Sequence, residues 1–418
     1  MTSLEEIFEK MITSFIIKLR QRPFTVFLFA RFFSVFGYIG LLSVLPILLR
    51  QAPFHFAASR IAVLLGIFGL ADRGLGLLCT SLVLRFGYRK SILVGSLIPG
   101  CSLFVLCFLP SFEVSAMSFV LFGVGSSLTS LAIRLWIASS LDEAKKIDAY
   151  GRLYRMINFA GGLAPVLIFL LPYKEYAEMT LIGVASLYIL AAIIIFFLFK
   201  TDTVPSREML DFFRFITSIK HNLHACRKVL PFYIVQILSG FALNQMHVVP
   251  YYFDSFLSMP QLIGFALALN CFLIVFFQSF VSHLFRLLLK KSVFLAFATG
   301  FFSFFLSFLS FTLLPSSVSI WFYIVFLTIG EMMIFPNMDY MITARTPQKL
   351  HPVFLAGTGL IFAMSRSFAE GGSVFSFGWL HKNGFDPKLW WFFNLFLFML
   401  ISLFLGYKSF FAKNCNNE

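Results

Sequence analysis

The segment KTDTVPSREMLDFFRFITSIKHNLHACRKV, residues 200–229, is the longest polar stretch of the 418-residue chain. Six long apolar runs precede it and six follow it, and each is close to the ~20 residues with which a helix crosses a bilayer. The runs cover 24–49, 61–84, 91–110, 114–140, 153–172 and 179–199 on one side, and 231–253, 260–285, 292–314, 318–343, 353–380 and 389–411 on the other. The sequence therefore predicts an all-α membrane protein with twelve transmembrane helices, arranged as two six-helix bundles.

The composition excludes a soluble protein. Hydrophobic residues make up 59% of the chain and charged residues only 12%, whereas a soluble domain is about 25% charged. The sequence contains neither the phosphate-binding loop of an ATP-driven pump nor the nucleophile elbow of a membrane hydrolase. Its six cysteines lack metal-ligand spacing. We therefore expect no enzyme activity, no metal and no cofactor.

The net charge of +14 is explained by membrane topology. With the N-terminus in the cytoplasm, 24 of the 33 Lys and Arg residues fall on the cytoplasmic side, 5 on the opposite side and 4 within the spans. This asymmetry follows the positive-inside rule. It predicts a multi-pass protein of the cytoplasmic (inner) membrane with both termini in the cytoplasm, and it requires no nucleic-acid partner.

The expected organisation has five parts: the N-terminal segment 1–22, the N-terminal bundle 23–199, the basic linker 200–229, the C-terminal bundle 230–412 and a cytoplasmic tail, 413–418. The N-terminal segment is amphipathic, since its apolar residues recur at helical spacing, and it is expected to lie on the cytoplasmic membrane surface. Within the linker, residues 208–219 are expected to form a short surface helix.

A basic loop between the second and third spans reads Leu84-Arg85-Phe86-Gly87-Tyr88-Arg89-Lys90. The glycine permits a tight turn, and the cations beside it can reach neighbouring helix ends. The loop resembles the signature Gly-x-x-x-Asp-Arg-x-Gly-x-Arg-Lys of the major facilitator superfamily, which it matches at Arg85, Gly87, Arg89 and Lys90. The resemblance implies a gating loop. Thr80 replaces the first Gly of the signature, and Leu84 replaces the Asp with which the family locks its outward-open state.

Two further spans carry motifs of the same superfamily. The fifth contains Ala160-Gly161-Gly162-Leu163-Ala164-Pro165, in which small residues four apart let helices approach closely. It resembles the antiporter motif Gly-x-x-x-Gly-Pro at Ala160, Ala164 and Pro165, with plain helix packing as the alternative. The tenth span, Gly330-Glu331-Met-Met-Ile-Phe-Pro336, resembles the matching helix of drug:proton antiporters.

Charged and polar residues within the spans are the candidate site residues, because a charge at bilayer depth costs at least about 2.5–3.5 kcal/mol. The candidates are Glu331, Asp72, Arg73, Arg366, Glu370 and His247. We expect Glu331 or Asp72 to carry a proton, and Arg73 or Arg366 to act as a counter-ion or to anchor an anionic substrate. Arg366 and Glu370, four residues apart, share one helix face. The alternative for each charged pair is a structural ion pair.

Other polar and aromatic residues of the spans are expected to have secondary roles. His247, with Asn244 and Gln245, would line the cavity if the superfamily's helix arrangement applies. Arg31 and Arg134 are expected to extend along the helix towards the cytoplasmic interface. The Phe-rich ninth span, from Phe301 to Phe311, is expected to face lipid or to pack rather than to stack on a substrate.

The favoured function is secondary transport of a small organic solute by alternating access, with proton-coupled efflux as the leading mode. The alternatives are an importer or exchanger of an anionic metabolite, and a membrane binding or scaffold protein that does not transport. The partners expected are the small-molecule substrate and the lipid bilayer, and the protein is expected to be a monomer.

Overall fold

The computed structural model describes residues 22–51, 53–170, 177–199, 209–247, 249, 261–314 and 316–414. Within these ranges the regular secondary structure is helical. The α-helices are α1 (Pro23–Leu48), α2 (Ala58–Gly69), α3 (Gly76–Phe108), α4 (Phe112–Ser140), α5 (Glu143–Leu170), α6 (Ala177–Leu198), α7 (Phe212–Thr217), α8 (Leu223–Asn244), α9 (Gln261–Lys291), α10 (Val293–Leu313), α11 (Ser316–Thr343), α12 (His351–Lys382) and α13 (Leu389–Asn414).

The helices lie where the apolar runs predict them. Ten helices of the described residues are long and apolar enough to cross a membrane. Several helices extend beyond the apolar run: α5 begins at Glu143 and α8 at Leu223, ahead of the predicted starts at 153 and 231. Hydropathy marks the part of a helix that contacts lipid, whereas backbone hydrogen bonding continues into the polar residues that flank it. The N-terminal segment 1–22 is described only at residue 22, and the tail only at 413 and 414.

The second predicted span is not a regular helix. After α2 the chain forms a π-helical turn, Leu70–Gly74, and then enters α3. A π-helical turn adds a residue to the helical repeat and is frequent at functional sites. Further on, Gly87 has φ 79° and ψ 170°, which interrupts α3. Because a residue with a Cβ rarely adopts positive φ, glycine is required where the second span turns into the third.

The chain divides into two compact units, each built from three segments. The first comprises Met1–Leu141, Leu163–Asn222 and Pro347–Gly357, and the second comprises Asp142–Gly162, Leu223–Thr346 and Thr358–Glu418. Helices α5 and α12 therefore each contribute to both units. The bundle boundaries expected from the linker, 23–199 and 230–412, stay a prediction.

Helices α1, α2, α3, α4 and α6 form the core of the first unit. The Tyr38 ring stacks on Phe122, with ring centroids 6.0 Å apart, and Phe122 meets Tyr188 edge-on at 5.2 Å. Between α3 and α4 the helices approach closely, since a Cβ on Gly125 would lie 2.4 Å from the ring of Pro99. The glycine lets two backbones pack where larger side chains would hold them apart.

Aromatic side chains form the core of the second unit. Phe311 stacks on Trp391 with centroids 4.8 Å apart, and Phe308 stacks on Phe398 at 5.3 Å. In α10, Phe301, Phe304, Phe308 and Phe311 are buried. They recur every three or four residues, as expected for one helix face. The buried face of this Phe-rich helix thus packs against α11 and α13.

Candidate functional site

The carboxyl group of Glu331 in α11 is buried, with 4% of the residue exposed. The Tyr154 hydroxyl, from α5, donates a hydrogen bond to Oε1. The Asn270 side-chain amide, from α9, donates to Oε2 at 2.9 Å and lies 2.9 Å from the Thr328 hydroxyl. All four residues belong to the second unit. Among the described residues, no cation lies within ion-pair distance of Glu331.

The residues on either side of Glu331 explain its position. Gly330 allows α11 to approach α10, because a Cβ there would lie 2.6 Å from the Phe304 ring. Pro336 lacks an N–H and leaves the Met332 carbonyl without its usual helical donor. The Gln278 side-chain amide, from α9, donates to that carbonyl at 3.2 Å. The Gly-Glu…Pro pattern of the tenth span therefore fixes α11 between its two neighbours.

Polar and small residues along α5 face α9. Arg286 forms a salt bridge with Asp148 at 3.0 Å, and Arg155 donates to the Ser279 hydroxyl at 2.9 Å. At the other end of the contact, a Cβ on Gly162 would lie 2.7 Å from the Cβ of Cys271. This row of contacts holds the first half of α5 against α9 and places Tyr154 beside Glu331.

A second cluster of charges lies in the first unit, at the π-helical turn. Arg73 Nε is 3.0 Å from Asp72 Oδ2, and the Tyr38 hydroxyl donates to the same oxygen at 2.9 Å. Asp72 is 7% exposed and Arg73 is 45% exposed. Consecutive residues of a regular helix point about 100° apart, but within the π-helical turn these two pair with each other. The structural ion pair foreseen as an alternative is therefore present.

Arg31 in α1 belongs to the same cluster. Its guanidinium interacts electrostatically with Tyr188, Asp72, Arg73 and Tyr38. Arg31 is half-buried, and its extension towards the cytoplasmic interface stays a prediction. Two arginines thus interact with one carboxylate, and these three groups carry one net positive charge.

The two clusters can do different chemistry. A carboxyl group held by neutral donors, as at Glu331, can exchange a proton without breaking an ion pair. Two guanidinium groups beside a tyrosine hydroxyl can bind an anion through charge-assisted hydrogen bonds. Among the described residues, no group of three His, Cys, Asp or Glu side chains could hold a metal ion.

Comparison with known protein families identifies the class to which this protein belongs. A sequence model described as the Major Facilitator Superfamily matches residues 27–370. The chain belongs to the major facilitator superfamily. It is therefore a multi-pass secondary transporter and not an enzyme, and the expectation of a non-transporting scaffold is set aside. No curated protein sequence matches the chain.

Solved structures of major facilitator superfamily proteins have the same fold. The human organic anion transporter MFSD10 (TETRAN) matches with a TM-score of 0.67 and 13% identity, covering 92% of this chain and 99% of that one. A variant of the Escherichia coli fucose:proton symporter FucP matches with a TM-score of 0.66 and 12% identity, covering 92% and 98%. At these identities the likeness shows the fold alone.

The superfamily loop occupies the turn between the second and third spans. Arg89 donates to the Phe196 carbonyl near the C-terminal end of α6, at 2.8 Å. A cation at that position stabilises the negative end of the helix. Arg85 and Lys90 are exposed. Gly87 provides the turn, and the gating role of the loop stays a prediction.

The remaining predicted residues fall into three groups. Ala160 and Ala164 are fully buried in α5, as helix packing requires, and Pro165 lies in the same helix. Gln245 is fully buried and accepts hydrogen bonds from Ser373 at 2.7 Å and Trp390 at 3.2 Å, and the cavity-lining role of residues 244–247 stays a prediction. Arg366 is exposed in α12, whereas the side chains of Glu370 and His247 lie outside the described residues.

Sequence reasoning missed four partners of the two clusters: Tyr154, Asn270, Thr328 and Tyr38. Asn270 had a signal, since an Asn within an apolar run demands a hydrogen-bond partner. Tyr154 had none, because a Tyr near the end of a span is ordinary in membrane helices.

Proposed function

We propose that this transporter couples the movement of a small organic solute to protons, and that Glu331 carries the proton. The observation that supports this role is the buried Glu331 carboxyl group, bound by Tyr154 and Asn270, with no cation within ion-pair distance among the described residues. Ionisable residues inside the membrane mark ion and substrate pathways. One protein of the same fold is a fucose:proton symporter, which agrees with proton coupling.

The neutral surroundings of Glu331 suit a residue that titrates in each transport cycle. A carboxylate paired with an arginine is held in its charged form, because separating a buried pair costs about 3–5 kcal/mol. In the part of the chain that the structure describes, Glu331 has no such partner to lose. The Tyr154 hydroxyl and the Asn270 amide stabilise the carboxylate after the proton leaves, and the hydroxyl can also accept a hydrogen bond from the protonated acid.

We propose efflux as the direction and the drug:proton antiporters as the nearest functional group. The Gly330-Glu331…Pro336 and Ala160…Ala164-Pro165 patterns support this assignment. We further propose twelve spans in a six-plus-six arrangement, a monomer, the cytoplasmic membrane as location and both termini in the cytoplasm. The distribution of basic residues supports this orientation.

The test is a thermal-shift screen of the purified protein followed by transport in inverted membrane vesicles. Lipophilic cations and small carboxylates are screened first, and the best stabiliser becomes the transport probe. We expect the Glu331→Gln variant to lose acceleration by a proton gradient while downhill movement of the probe remains. Glu178→Gln, at the exposed first turn of α6, is the control. Unchanged coupling in Glu331→Gln would show that another residue carries the proton.

A second candidate function, transport of an organic anion, is favoured by the cluster around Arg31. Arg31 and Arg73 exceed the single nearby carboxylate, Asp72, by one positive charge. One fold relative is described as an organic anion transporter. Stabilisation by carboxylates that disappears in Arg31→Gln would support it. Arg60→Gln is the control, because Arg60 is exposed and lies over the Phe112 ring at 5.5 Å.

A further inference from the structure

The linker helix α7 is attached to the first unit through Asp211, its N-cap residue. Asp211 Oδ1 accepts the Arg214 N–H at 2.9 Å, and Oδ2 accepts the Ser81 hydroxyl of α3 at 3.1 Å. One carboxylate therefore both caps α7 and binds it to the end of the second span. Ser81 lies one helical turn before Leu84, the position at which the superfamily loop has its Asp.

Thr80, the other position at which the loop departs from the superfamily signature, also contacts the linker segment. Thr80, where the signature has Gly, accepts the Phe212 N–H at 3.0 Å through its hydroxyl oxygen. That hydroxyl donates in turn to the Leu77 carbonyl at 2.6 Å. The N–H groups of a first helical turn have no partner within their own helix. The Thr80 hydroxyl therefore provides a hydrogen-bond acceptor for the Phe212 N–H, which a glycine at this position could not do.

The linker also binds the residues that lead into α12. The Leu210 N–H donates to the Lys349 carbonyl at 2.6 Å. Phe215 meets the Phe354 ring edge-on, with centroids 5.8 Å apart. Met209, just before α7, is 2% exposed and Phe215 is 7% exposed, whereas Phe213 is 61% exposed. Segment 209–217 thus has one face packed against the first unit and one open face.

We propose that segment 209–217 is a reversible latch on the end of the second span, in which Asp211 supplies the carboxylate that the loop lacks at Leu84. The segment is short, and a six-residue helix is not stable by itself. Its order therefore depends on a few hydrogen bonds and one aromatic contact, which can break and re-form. The latch goes beyond the proposed function, since it needs neither proton coupling nor a known substrate.

The first test measures docking by the reaction of a new cysteine with N-ethylmaleimide in the full-length protein. Mass spectrometry of the peptide that carries the new cysteine separates it from the native ones. We expect Met209→Cys to react to completion, but about tenfold more slowly than Phe213→Cys. Equal rates would show that the segment is not docked. A Met209→Cys site that never reacts would show permanent packing and would also overturn the latch.

The second test removes the contacts one at a time in the Met209→Cys background. We expect Asp211→Ala and Thr80→Val each to accelerate the reaction about threefold or more, because each loses one hydrogen bond to α3. Thr80→Ser keeps the hydroxyl and Asp142→Ala removes an exposed carboxylate elsewhere, so both should react like the parent. Acceleration by these controls, or none by the first pair, would refute the assignment.

The third test asks whether Asp211 occupies the place of the missing loop carboxylate. Side chains three residues apart on a helix are neighbours, so an Asp at position 84 would repel Asp211 near Ser81. We expect Leu84→Asp to accelerate the reaction at Met209→Cys about threefold and Leu84→Asn to leave it unchanged. If both variants react like the parent, Asp211 does not replace the loop carboxylate. Failure of any of these tests would leave the role of Glu331 unaffected.

Discussion

The hydroxyl of Tyr154, in α5, donates a hydrogen bond to the carboxylate of Glu331, in α11, across 177 residues of sequence. Both residues belong to the second unit, and the contacts between α5 and α9 hold the tyrosine in place. Asn270 binds the other carboxylate oxygen. The geometry thus gives each oxygen of Glu331 one neutral donor, an arrangement that the sequence pattern around Glu331 did not reveal.

Removing the Tyr154 hydroxyl should change the pH profile of transport. Tyr154→Phe keeps the ring but leaves Glu331 with one donor, and a hydrogen bond to a charged group is worth about 1.5–3 kcal/mol. We expect the rate at neutral pH to fall about tenfold and the pH optimum to move, with proton coupling retained. The measurement is probe transport in vesicles across a range of pH.

Tyr323→Phe is the matched control for this prediction. Tyr323 is a buried tyrosine of α11, and its hydroxyl has no hydrogen-bond partner among the described residues. Loss of that hydroxyl should leave the pH profile unchanged. If Tyr323→Phe and Tyr154→Phe lower the rate equally without moving the optimum, the Tyr154 hydroxyl has a structural role only.

The bond between Gln278 and the Met332 carbonyl should contribute to stability because Pro336 makes it necessary. Gln278→Leu leaves the carbonyl buried without a donor, which costs ~1–3 kcal/mol. Pro336→Ala restores an N–H that can reach this carbonyl within the helix. We therefore expect Gln278→Leu to be destabilising in the parent and nearly neutral in Pro336→Ala, as measured by unfolding in mixed micelles. Equal costs in the two backgrounds would contradict this explanation.

The close approach of α10 and α11 makes Gly330 sensitive to any added side chain. An alanine Cβ would lie 2.6 Å from the Phe304 ring, and overpacking of this kind costs ~1–3 kcal/mol. Gly359→Ala, in α12, meets no atom within 4 Å, and alanine is favoured over glycine in a helix by about 0.5–1 kcal/mol. Gly330→Ala should thus lower the unfolding temperature while Gly359→Ala leaves it equal or raises it. A similar change in both would argue against the steric explanation.

The sequence predicted the helices well because the bilayer imposes one strong physical constraint. Each span must satisfy its backbone internally and expose apolar side chains, so hydropathy marks its position. The same reasoning identified Glu331, since a buried charge in an apolar run stands out without any alignment. Its partners did not stand out, because they lie on other helices and their residue types are common in spans.

Local backbone geometry explains what the sequence reasoning left open. The π-helical turn at Leu70–Gly74 changes the direction of the side chains that follow it, and an apolar pattern does not predict such a turn. At this turn Asp72 and Arg73 pair with each other. A structural ion pair was one of the two alternatives for these residues, and the sequence alone could not choose between them.

The pair Asp72–Arg73 should show strong coupling in a double-mutant cycle. Asp72 is buried, pairs with Arg73 and accepts a hydrogen bond from Tyr38, so Asp72→Asn removes the negative charge of the pair, and Arg73→Gln removes the positive charge that balances a buried carboxylate. Breaking such a pair costs more than removing both charges together. We expect the double variant to be more stable than the sum of the single changes predicts, by ~1–3 kcal/mol.

The exposed pair Asp142–Lys145, joined at 2.9 Å, is the control for this cycle. Water screens an exposed ion pair, so coupling between its members should not exceed about 1 kcal/mol. Unfolding of the four variants of each pair in mixed micelles gives both coupling energies. If the two energies are equal, the charges of Asp72 and Arg73 are screened as at the surface.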